Sequence, residues 1–346
     1  MTADTILFLA QDGITNGTIY ALLGLALVLV FAVTRIILIP QGEFVVFGAL
    51  TLAGIQANVV PGTVWLLLAI GFYNAVVAGG LSAAGGNLAA GLRAGAAQLA
   101  VPSAVTLAAI ALAPLRLPLL AQIALTLLIV VPLGPHLYRA VFRPIADAPV
   151  LVLLIVAVAL HLALLGISLL VFGAEGSRTE VITDLSLDLG MLSVPAQTLW
   201  ILGASVALIV GLYVFFECTL YGKALRATAI NRVGAKIVGI RIETAGSLCL
   251  TLAAGIGALS GILISPVTTI YYDSGLLFGL KGLVAATIGG FVSYPLSAIG
   301  ALIIGIIEAF SSFYTSAYKE AIVFALIVPV LLVRSLTSKA HGGDDE

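Results

Sequence analysis

Long runs of apolar residues dominate the chain, and each run predicts a helix that crosses a membrane. A membrane-spanning helix needs about 20 consecutive, mostly apolar residues. The clearest run is 149–172, because it contains no Asp, Glu, Lys or Arg and has His161 as its only titratable side chain. By this criterion we predict eleven hydrophobic segments, at 13–33, 44–59, 63–81, 98–113, 116–137, 149–172, 198–216, 244–264, 276–292, 296–314 and 321–335.

Some of these segments are short for a full crossing, notably 44–59, 98–113 and 276–292. Short or glycine-interrupted membrane segments are often broken or re-entrant helices rather than complete spans. The Gly- and Ala-rich stretch 83–98 predicts a loop or a poorly specified helix. We therefore predict an all-α fold, a polytopic transmembrane helical bundle of about 8–11 hydrophobic segments, in a single domain that covers residues 1–346.

The composition of the chain excludes the main classes of soluble protein. Of its 346 residues, 61% are apolar and only 9% are charged, whereas about 25% of a typical globular protein is charged. The mean hydropathy is +1.22. So few charges cannot cover the surface of a soluble protein of this length, so a soluble enzyme, a nucleic-acid-binding protein and a disordered chain are not expected. The predicted solvent of the folded protein is the lipid bilayer.

The basic residues predict the orientation of the bundle, because Lys and Arg concentrate in the cytoplasmic loops of membrane proteins. With the N-terminus outside and eleven spans, three basic residues lie outside (Arg116, Arg178 and Lys319), and Lys281 lies within a span. The other eleven then lie on the cytoplasmic side: Arg35, Arg93, Arg139, Arg143, Lys223, Arg226, Arg232, Lys236, Arg241, Arg334 and Lys339. The prediction is a multi-pass protein with its N-terminus outside and its C-terminus in the cytoplasm.

The predicted outer loop, residues 173–198, combines negative charge with an alternating apolar pattern. Four acidic residues oppose Arg178: Glu175, Glu180, Asp184 and Asp188. Leucines alternate with polar residues before Gly190, at Leu185, Leu187 and Leu189. This alternation predicts a small β-hairpin with its turn near Gly190. Two interpretations fit the loop: a solvated connector, or a docking surface for an external partner.

The predicted inner loop, residues 217–243, holds the densest group of basic residues. Good helix formers at 223–230 predict a helix, which Asn231 and Gly234 are able to interrupt. A second turn then runs to Gly239, which suits a helix C-terminus. Alanines lie between the basic residues, and small side chains permit close approach of a partner. The loop is either a partner-binding pair of amphipathic helices or an interfacial segment without a partner.

The stretch from Gly222 to Ile240 resembles the cytoplasmic coupling loop of ABC importer permeases, most closely that of the LivH-type branched-chain amino-acid permeases. The matching positions are Gly222, Leu225, Arg226, Ala227, Ala235, Gly239 and Ile240. Further stretches are similar to the same family: Asn16-Gly17, 20–22, 41–43, Arg143-Pro144, Phe172-Gly173, 279–281, Gly289-Gly290, Gly300-Ala301, Gly305 and Glu308. The resemblance covers 8–60 and 136–338, with departures at 37–40, at His161 and throughout 61–135.

The resemblance implies a transmembrane permease domain over 1–346 in the bacterial inner (plasma) membrane. It implies that the chain forms the translocation path for branched-chain or other apolar amino acids, as a transport subunit rather than an enzyme. The implied partners are two ABC ATPase subunits, a second homologous permease chain and a periplasmic or extracellular substrate-binding protein, with no nucleic acid. No cofactor is implied for this chain, since the ATPase subunits bind the ATP.

The same resemblance implies which residues dock on the ATPases: Gly222, Leu225, Arg226, Ala227, Asn231, Arg232, Ala235 and Gly239. The chain has no Walker A motif of its own, because in the nearest stretch, Gly275–Gly282, Lys281 is followed by glycine. Two alternatives remain: a permease for urea or short amides in the same family, or an ion-coupled secondary transporter that uses Glu308 or His161. A membrane-embedded enzyme is not favoured, since neither metal-ligand spacing nor a serine–histidine arrangement occurs.

Polar side chains inside the apolar segments form the candidate substrate pathway, because such groups tend to face protein or water. The candidates are Asn16, Thr18, Tyr20, Gln41, Gly42, Glu43, Lys281 and Glu308. Asn16 and Tyr20 are four residues apart and share a helical face, while 41–43 lies at a predicted helix break. Lys281 and Glu308 have opposite charges in consecutive segments, which predicts an ion pair with either a transport role or a structural one.

Three features also have simple structural interpretations. Glu43 is able to cap the N-terminus of the second segment instead of meeting substrate. His161 is expected to be a packed polar residue rather than a proton carrier. The small residues of 253–261 predict tight packing between helices rather than a hinge.

Overall fold

The computed structural model describes residues 2–84, 88–183, 185–189 and 192–332. These residues form a helical bundle with one small hairpin, so the predicted all-α class is confirmed. The helices are α1 (Ala3–Thr34), α2 (Gln41–Gln56), α3 (Thr63–Ala84), α4 (Leu88–Leu112), α5 (Leu119–Val130), α6 (Leu133–Leu137), α7 (Val150–Phe172), α8 (Ala196–Cys218), α9 (Leu220–Ile230), α10 (Arg232–Ile237), α11 (Ile242–Ile264), α12 (Ser274–Ile288), α13 (Tyr294–Thr315) and α14 (Lys319–Ala325). A π-helical turn (Tyr138–Phe142) and a 3₁₀ turn (Arg143–Ile145) continue α6, and a second 3₁₀ turn (Ser316–Tyr318) joins α13 to α14.

Eight helical segments of the described chain are long and apolar enough to cross a membrane. Two of the eleven predicted segments, 44–59 and 276–292, correspond to α2 and α12, which contain only 16 and 15 residues. At a rise of 1.5 Å per residue these helices are about 22–24 Å long, shorter than a hydrocarbon core of about 30 Å. Two further segments, 296–314 and 321–335, share the helical stretch Tyr294–Leu332, which contains the 3₁₀ turn.

Of the two interpretations of 83–98, the helix agrees with the structure and the loop does not, since the described residues 83–84 and 88–98 are helical. α3 extends to Ala84, and α4 begins at Leu88. The small residues serve helix packing instead, since a Cβ at Gly95 would lie 3.1 Å from the Ala75 carbonyl oxygen. Small side chains let two helices approach closely, so a composition typical of loops here produces a tight α3–α4 pair.

α1 and α2 form the centre of the bundle. α1 packs against α11, α12 and α13, and its residues from Ile19 to Val30 are all buried. Every residue of α2 from Gln41 to Leu52 is also buried, so this short helix is enclosed by protein on all faces. α7 and α8 differ, because they expose large apolar side chains such as Leu162. These two helices therefore present a lipid-facing surface.

Glycines bring the central helices close together. At the α1–α13 crossing, a Cβ at Gly13 would lie 2.7 Å from the Ile306 Cα; at the α2–α11 crossing, a Cβ at Gly48 would lie 2.6 Å from the Ala258 Cα. Backbone atoms face both glycines, so no neighbouring side chain can rotate away to admit a larger residue. The tight packing predicted for 253–261 is confirmed.

The predicted β-hairpin in the outer loop is confirmed. Its strands are β1 (Ser186–Leu189) and β2 (Leu192–Pro195), which pair antiparallel with Leu187 opposite Val194. The alternating leucines therefore indicated a strand. The expected turn at Gly190 and the acidic residue Asp184 lie outside the described residues.

The outer loop is also fixed to the connector between α11 and α12. Arg178 donates hydrogen bonds from Nε to the Pro266 carbonyl at 2.9 Å and from Nη2 to the Val267 carbonyl at 2.6 Å. The hydroxyls of Thr179 and Ser265 lie 2.7 Å apart, within hydrogen-bond distance. Hence this part of the loop is anchored to the residues that lead into α12.

Candidate transport pathway and coupling surface

The chain breaks between α1 and α2 inside the protein. Arg35 has a left-handed conformation, with φ 63°, and residues 36–40 are not helical, yet Ile36 is only 1% exposed. The Thr34 hydroxyl accepts a hydrogen bond from the Ile36 amide at 3.2 Å, which satisfies one backbone group freed by the break. Non-helical backbone at membrane depth occurs where it is buried in protein or lines a cavity. A break between the first two segments is therefore present, but it lies at 35–40, and residues 41–43 form the first turn of α2 rather than the break itself.

α2 and α12 begin beside each other, and glycines allow this contact. A Cβ at Gly42 would collide with the Gly275 carbonyl oxygen and would lie 2.8 Å from the Gly279 amide nitrogen. A Cβ at Gly275 would lie 2.6 Å from Glu43 Oε1. The first turns of two short helices thus meet, and each helix N-terminus carries a partial positive charge. We call this contact the α2–α12 junction; it comprises residues 41–43 and 274–279.

Glu43 lies beside His161 of α7 in the interior of the bundle. The Oε1 and Nδ1 atoms are 2.9 Å apart, and the two side chains are 1% and 5% exposed. Glu43 occupies the first turn of α2, as the capping interpretation requires, where a negative charge suits the helix dipole, but neither of its oxygens accepts a hydrogen bond that would cap the helix. Sequence reasoning did not pair the two residues. The available signal was that each is an isolated titratable group in an apolar segment.

Lys281 lies in a second buried group of polar side chains, where α12 meets α1, α13 and α14. Its Nζ is 2.6 Å from Glu308 Oε1, 3.4 Å from the Tyr20 hydroxyl and 3.5 Å from Glu320 Oε1. The predicted contact between Lys281 and Glu308 is confirmed. Glu320 is not among the predicted residues, because the hydrophobic pattern assigns it to a loop, whereas α14 begins at Lys319.

The other predicted pathway residues lie on α1 and at the start of α2. Asn16 is half-buried on α1, and the Thr18 hydroxyl donates back to the Ile14 carbonyl at 2.6 Å. Gln41 donates from Nε2 to the Ala253 carbonyl of α11 at 3.0 Å, which ties the start of α2 to α11. The participation of these residues in transport stays a prediction.

The inner loop folds as two short helices, α9 and α10. The Thr219 hydroxyl caps α9 by accepting a hydrogen bond from the Gly222 amide at 2.9 Å. Asn231 ends α9 as predicted and caps α10, since its Oδ1 accepts a hydrogen bond from the Gly234 amide at 2.8 Å. Gly234 lies inside α10 and does not interrupt it, contrary to the prediction. Gly239 follows α10 with φ +91°, in agreement with the predicted helix end.

The predicted coupling residues do not all face outward. Gly222, Leu225 and Ala235 are buried, because they seat the two helices on the bundle. The surface instead exposes large apolar side chains that sequence reasoning did not single out, with exposed fractions of 70–83%: Ile230, Val233, Ile237 and Val238. We call these four residues the apolar face of the inner loop. Clustered exposed apolar side chains mark interaction surfaces.

Two of the predicted arginines hold the inner loop in position. Arg226 Nη2 lies 2.5 Å from Glu217 Oε1 of α8. Arg232 donates to the Ala146 carbonyl at 3.2 Å and lies 3.6 Å from the Asp147 carboxylate, before α7. Beside the first pair, a cavity of about 550 Å³ opens between α1, α8 and α13, and its lining is otherwise apolar and aromatic. The arginines therefore connect α9 to α8, and α10 to the connector before α7.

Comparison with known proteins shows which family the chain belongs to. The family described as "Branched-chain amino acid transport system / permease component" matches residues 80–331. The high-affinity branched-chain amino acid transport system permease protein LivH of Escherichia coli (strain K12) is 26% identical over 357 residues, and LivH of Salmonella typhimurium is 25% identical over 354 residues. Each alignment covers 96% of both chains. The permease protein BraD of Pseudomonas aeruginosa is 25% identical over 238 residues, or 66% of this chain and 76% of that protein. No solved structure matches the chain.

The matched range includes most of 61–135, where the sequence motifs diverge, so the likeness is not confined to the inner loop. Eight helices with the length and apolar character of membrane spans make the chain a multi-pass membrane protein. An ion-coupled secondary transporter is not favoured by this membership. The chain belongs to the branched-chain amino acid transport system permease family, as a LivH-type permease subunit of an ABC importer.

Proposed function

We propose that the chain forms the translocation path of an ATP-driven importer for branched-chain or other apolar amino acids. The observation that carries this proposal is its alignment, over 96% of its length, with permeases named for high-affinity branched-chain amino acid transport. The α2–α12 junction supports it, because a few buried polar groups lie there beside the apolar residues Phe44 and Phe47. Sites for small, mostly apolar ligands have this composition.

The inner loop couples ATP hydrolysis by the partner subunits to transport along this path. The chain is a transport subunit rather than an enzyme, and it holds no cofactor; two ABC ATPase subunits bind and hydrolyse ATP. The apolar face of the inner loop is the surface that they contact. α9 packs against both α1 and α8, so closure of the ATPase pair would shift helices that adjoin the junction.

The remaining parts of the importer lie beside and outside the chain. A second, homologous permease chain completes the path, and a periplasmic or extracellular binding protein delivers the solute to the outer loop. The hairpin of β1 and β2 extends this loop, whose other end is anchored through Arg178. The complex lies in the bacterial inner membrane with the N-terminus outside and the C-terminus in the cytoplasm, as the basic residues predict.

The test combines copurification with uptake in vesicles. Val233→Asp with Ile237→Asp places two charges on the apolar face, at side chains that are 70% and 80% exposed, so folding should be unaffected. We expect this double variant to lose ATPase binding by about tenfold or more, whereas Arg116→Glu, an exposed site on the predicted outer side, should not. The wild-type complex should take up leucine when ATP is supplied.

Each contrary result has a definite meaning. If the double variant copurifies with as much ATPase as the wild type, the apolar face is not the surface that the ATPases contact. Leucine uptake that needs a pH gradient but no ATP would indicate an ion-coupled transporter. ATP-driven uptake of urea or acetamide, without uptake of leucine, would replace the amino acid by a short amide as the substrate.

A further inference from the structure

The α2–α12 junction holds a carboxylate with unused capacity to bind a cation. Glu43 is 1% exposed, and neither of its oxygens accepts a directed hydrogen bond from any described residue. His161 Nδ1 approaches one oxygen at 2.9 Å, and Oε2 has no polar partner. An unsatisfied buried carboxylate is costly. An ammonium group, which carries three N–H donors, would satisfy it.

The same junction also suits an anionic group. The free amides in the first turn of a helix, together with the helix dipole, favour a negative charge. The Glu43 carboxylate lies beside this turn of α12, since a Cβ at Gly275 would be 2.6 Å from its Oε1, yet neither oxygen accepts a hydrogen bond from the amides of the turn. Asp273, the residue before α12, makes no side-chain capping bond, and it is exposed. Glu43 thus lies next to the turn that would bind the carboxylate of a ligand, and it leaves the amides of that turn unused.

We propose that the junction recognises both charged groups of an α-amino acid: Glu43 binds the α-ammonium, and the first turn of α12 binds the α-carboxylate. The inference rests on the proposed function and specifies how this site would recognise its substrate. The carboxylate of the substrate displaces Glu43 from Gly275, and the ammonium group binds the free Oε2. His161 is a positioning residue, because its contact with Oε1 keeps the Glu43 side chain at the junction.

The contact between α2 and α12 is built so that it can open. Gly42 and Gly275 meet backbone to backbone, so at this point of the contact no bulky side chain is interlocked, and Phe278 provides the side-chain packing further along α12. Separation also uncovers Gln41 Oε1, which is buried and has no hydrogen-bond partner within the described chain. This oxygen provides a second acceptor for the ammonium group.

The first experiment measures ligand binding to the permease–ATPase complex in the absence of the binding protein, which would otherwise select the ligand. Radiolabelled leucine is the probe, and 4-methyl-2-oxopentanoate, which has a carbonyl in place of the ammonium-bearing carbon, is the competitor. We expect the keto acid to compete at least about tenfold less well than leucine, as the loss of one charge-assisted contact requires. This arm uses wild-type protein, so it does not depend on the folding of a variant.

The second experiment compares variants at the pair. Glu43→Gln should weaken leucine binding about tenfold or more, and His161→Leu should weaken it less. His161→Gln, which keeps a donor, should recover most of the binding. Ser168→Ala is the matched control, because it removes a buried hydroxyl from the same helix as His161 and should leave binding unchanged.

A purely structural ion pair makes a different prediction for the double variant Glu43→Leu with His161→Leu. Replacing a buried pair by apolar residues is often neutral or stabilising, so a structural role predicts normal assembly and normal leucine binding. Our inference predicts normal assembly with the ATPases and lost leucine binding. Equal competition by the keto acid, leucine binding by the double variant, or no leucine binding by the wild-type complex would each overturn it. ATP-driven leucine uptake by the complete wild-type importer would leave the proposed function standing in all three cases.

Discussion

Replacing Lys281 by methionine measures what the buried ion pair with Glu308 contributes to the stability of the bundle. The Lys281 ammonium lies 2.6 Å from the Glu308 carboxylate and 3.5 Å from the Glu320 carboxylate. Methionine keeps an unbranched apolar side chain but removes the charge, so carboxylates of α13 and α14 are left facing each other. Removing one partner from a buried pair costs about 3–5 kcal/mol, and we expect Lys281→Met to fall in that range.

The geometry predicts an order among the matched variants. Glu308→Gln leaves Lys281 with Glu320 and the Tyr20 hydroxyl, so we expect a smaller loss of about 1–3 kcal/mol. Glu320 is the most exposed member, with 32% of its side chain accessible, and it is the more distant carboxylate. Glu320→Gln should therefore cost about 0–1 kcal/mol.

Denaturant titration of the purified protein in detergent measures these differences in the free energy of unfolding. The exposed control Arg116→Glu should remain within about 0.5 kcal/mol of wild type. The double reversal Lys281→Glu with Glu308→Lys should recover part of the stability lost in either single reversal, because opposite charges face each other again. Equal losses in the three single variants, or no recovery in the double reversal, would refute the ion-pair reasoning. Recovery of stability without recovery of leucine uptake would assign the pair a role in transport.

Three further predictions concern the packing and the loops. Gly305→Val should destabilise the bundle by about 1–3 kcal/mol or more in thermal unfolding, because its side chain would overlap the α1 backbone. The control Gly166→Ala should not, because the space around its Cβ is open. Equal melting temperatures of the two variants would contradict the close α1–α13 crossing. Arg178→Ala removes two hydrogen bonds and should speed amide exchange in the connector before α12, and unchanged exchange would show that the outer loop is not anchored there. Asn231→Ala should cost about 1 kcal/mol of local stability and speed exchange in the first turn of α10, while unchanged protection would show that this cap is dispensable.

The hydrophobic pattern predicted where membrane helices lie, but it could not show which of them touch lipid. The segments 44–59 and 198–216 both read as apolar, yet α2 is enclosed by protein and α8 exposes large side chains. Lipid tails are as apolar as a leucine-rich core, so a helix facing either environment has the same composition. Length was a useful but incomplete signal: of the three segments taken as short, 44–59 and 276–292 are the helices that meet at the junction. The third, 98–113, was wrongly taken as short, because it is the end of α4, a helix of 25 residues.

The buried polar contacts differed in how far the sequence could predict them. Lys281 and Glu308 were paired because they have opposite charges in consecutive segments. Glu43 and His161 are 118 positions apart in the sequence, with α3 to α6 between their helices, and no local pattern brings them together. In the inner loop the resemblance located the segment, but it did not separate the residues that seat the helices from those that face outward, since exposure depends on tertiary packing.

α12 connects the junction to the outer loop on one side and to α1 and α8 on the other. These contacts provide a physical route for the proposed transport cycle. Before α12, the connector is hydrogen-bonded to the outer loop, where the binding protein would act. After α12, the ring centroids of Phe291 and Phe31 of α1 are 4.9 Å apart, and those of Tyr294 and Phe216 are 6.3 Å apart. Phe216 belongs to α8, the helix that leads into the inner loop. α12 is one continuous helix of 15 residues, so in the proposed cycle a displacement at either end would be passed on to Gly275 beside α2. Because glycine backbones form that contact, such a shift would move α12 directly against the first turn of α2 and would change the surroundings of the Glu43 carboxylate.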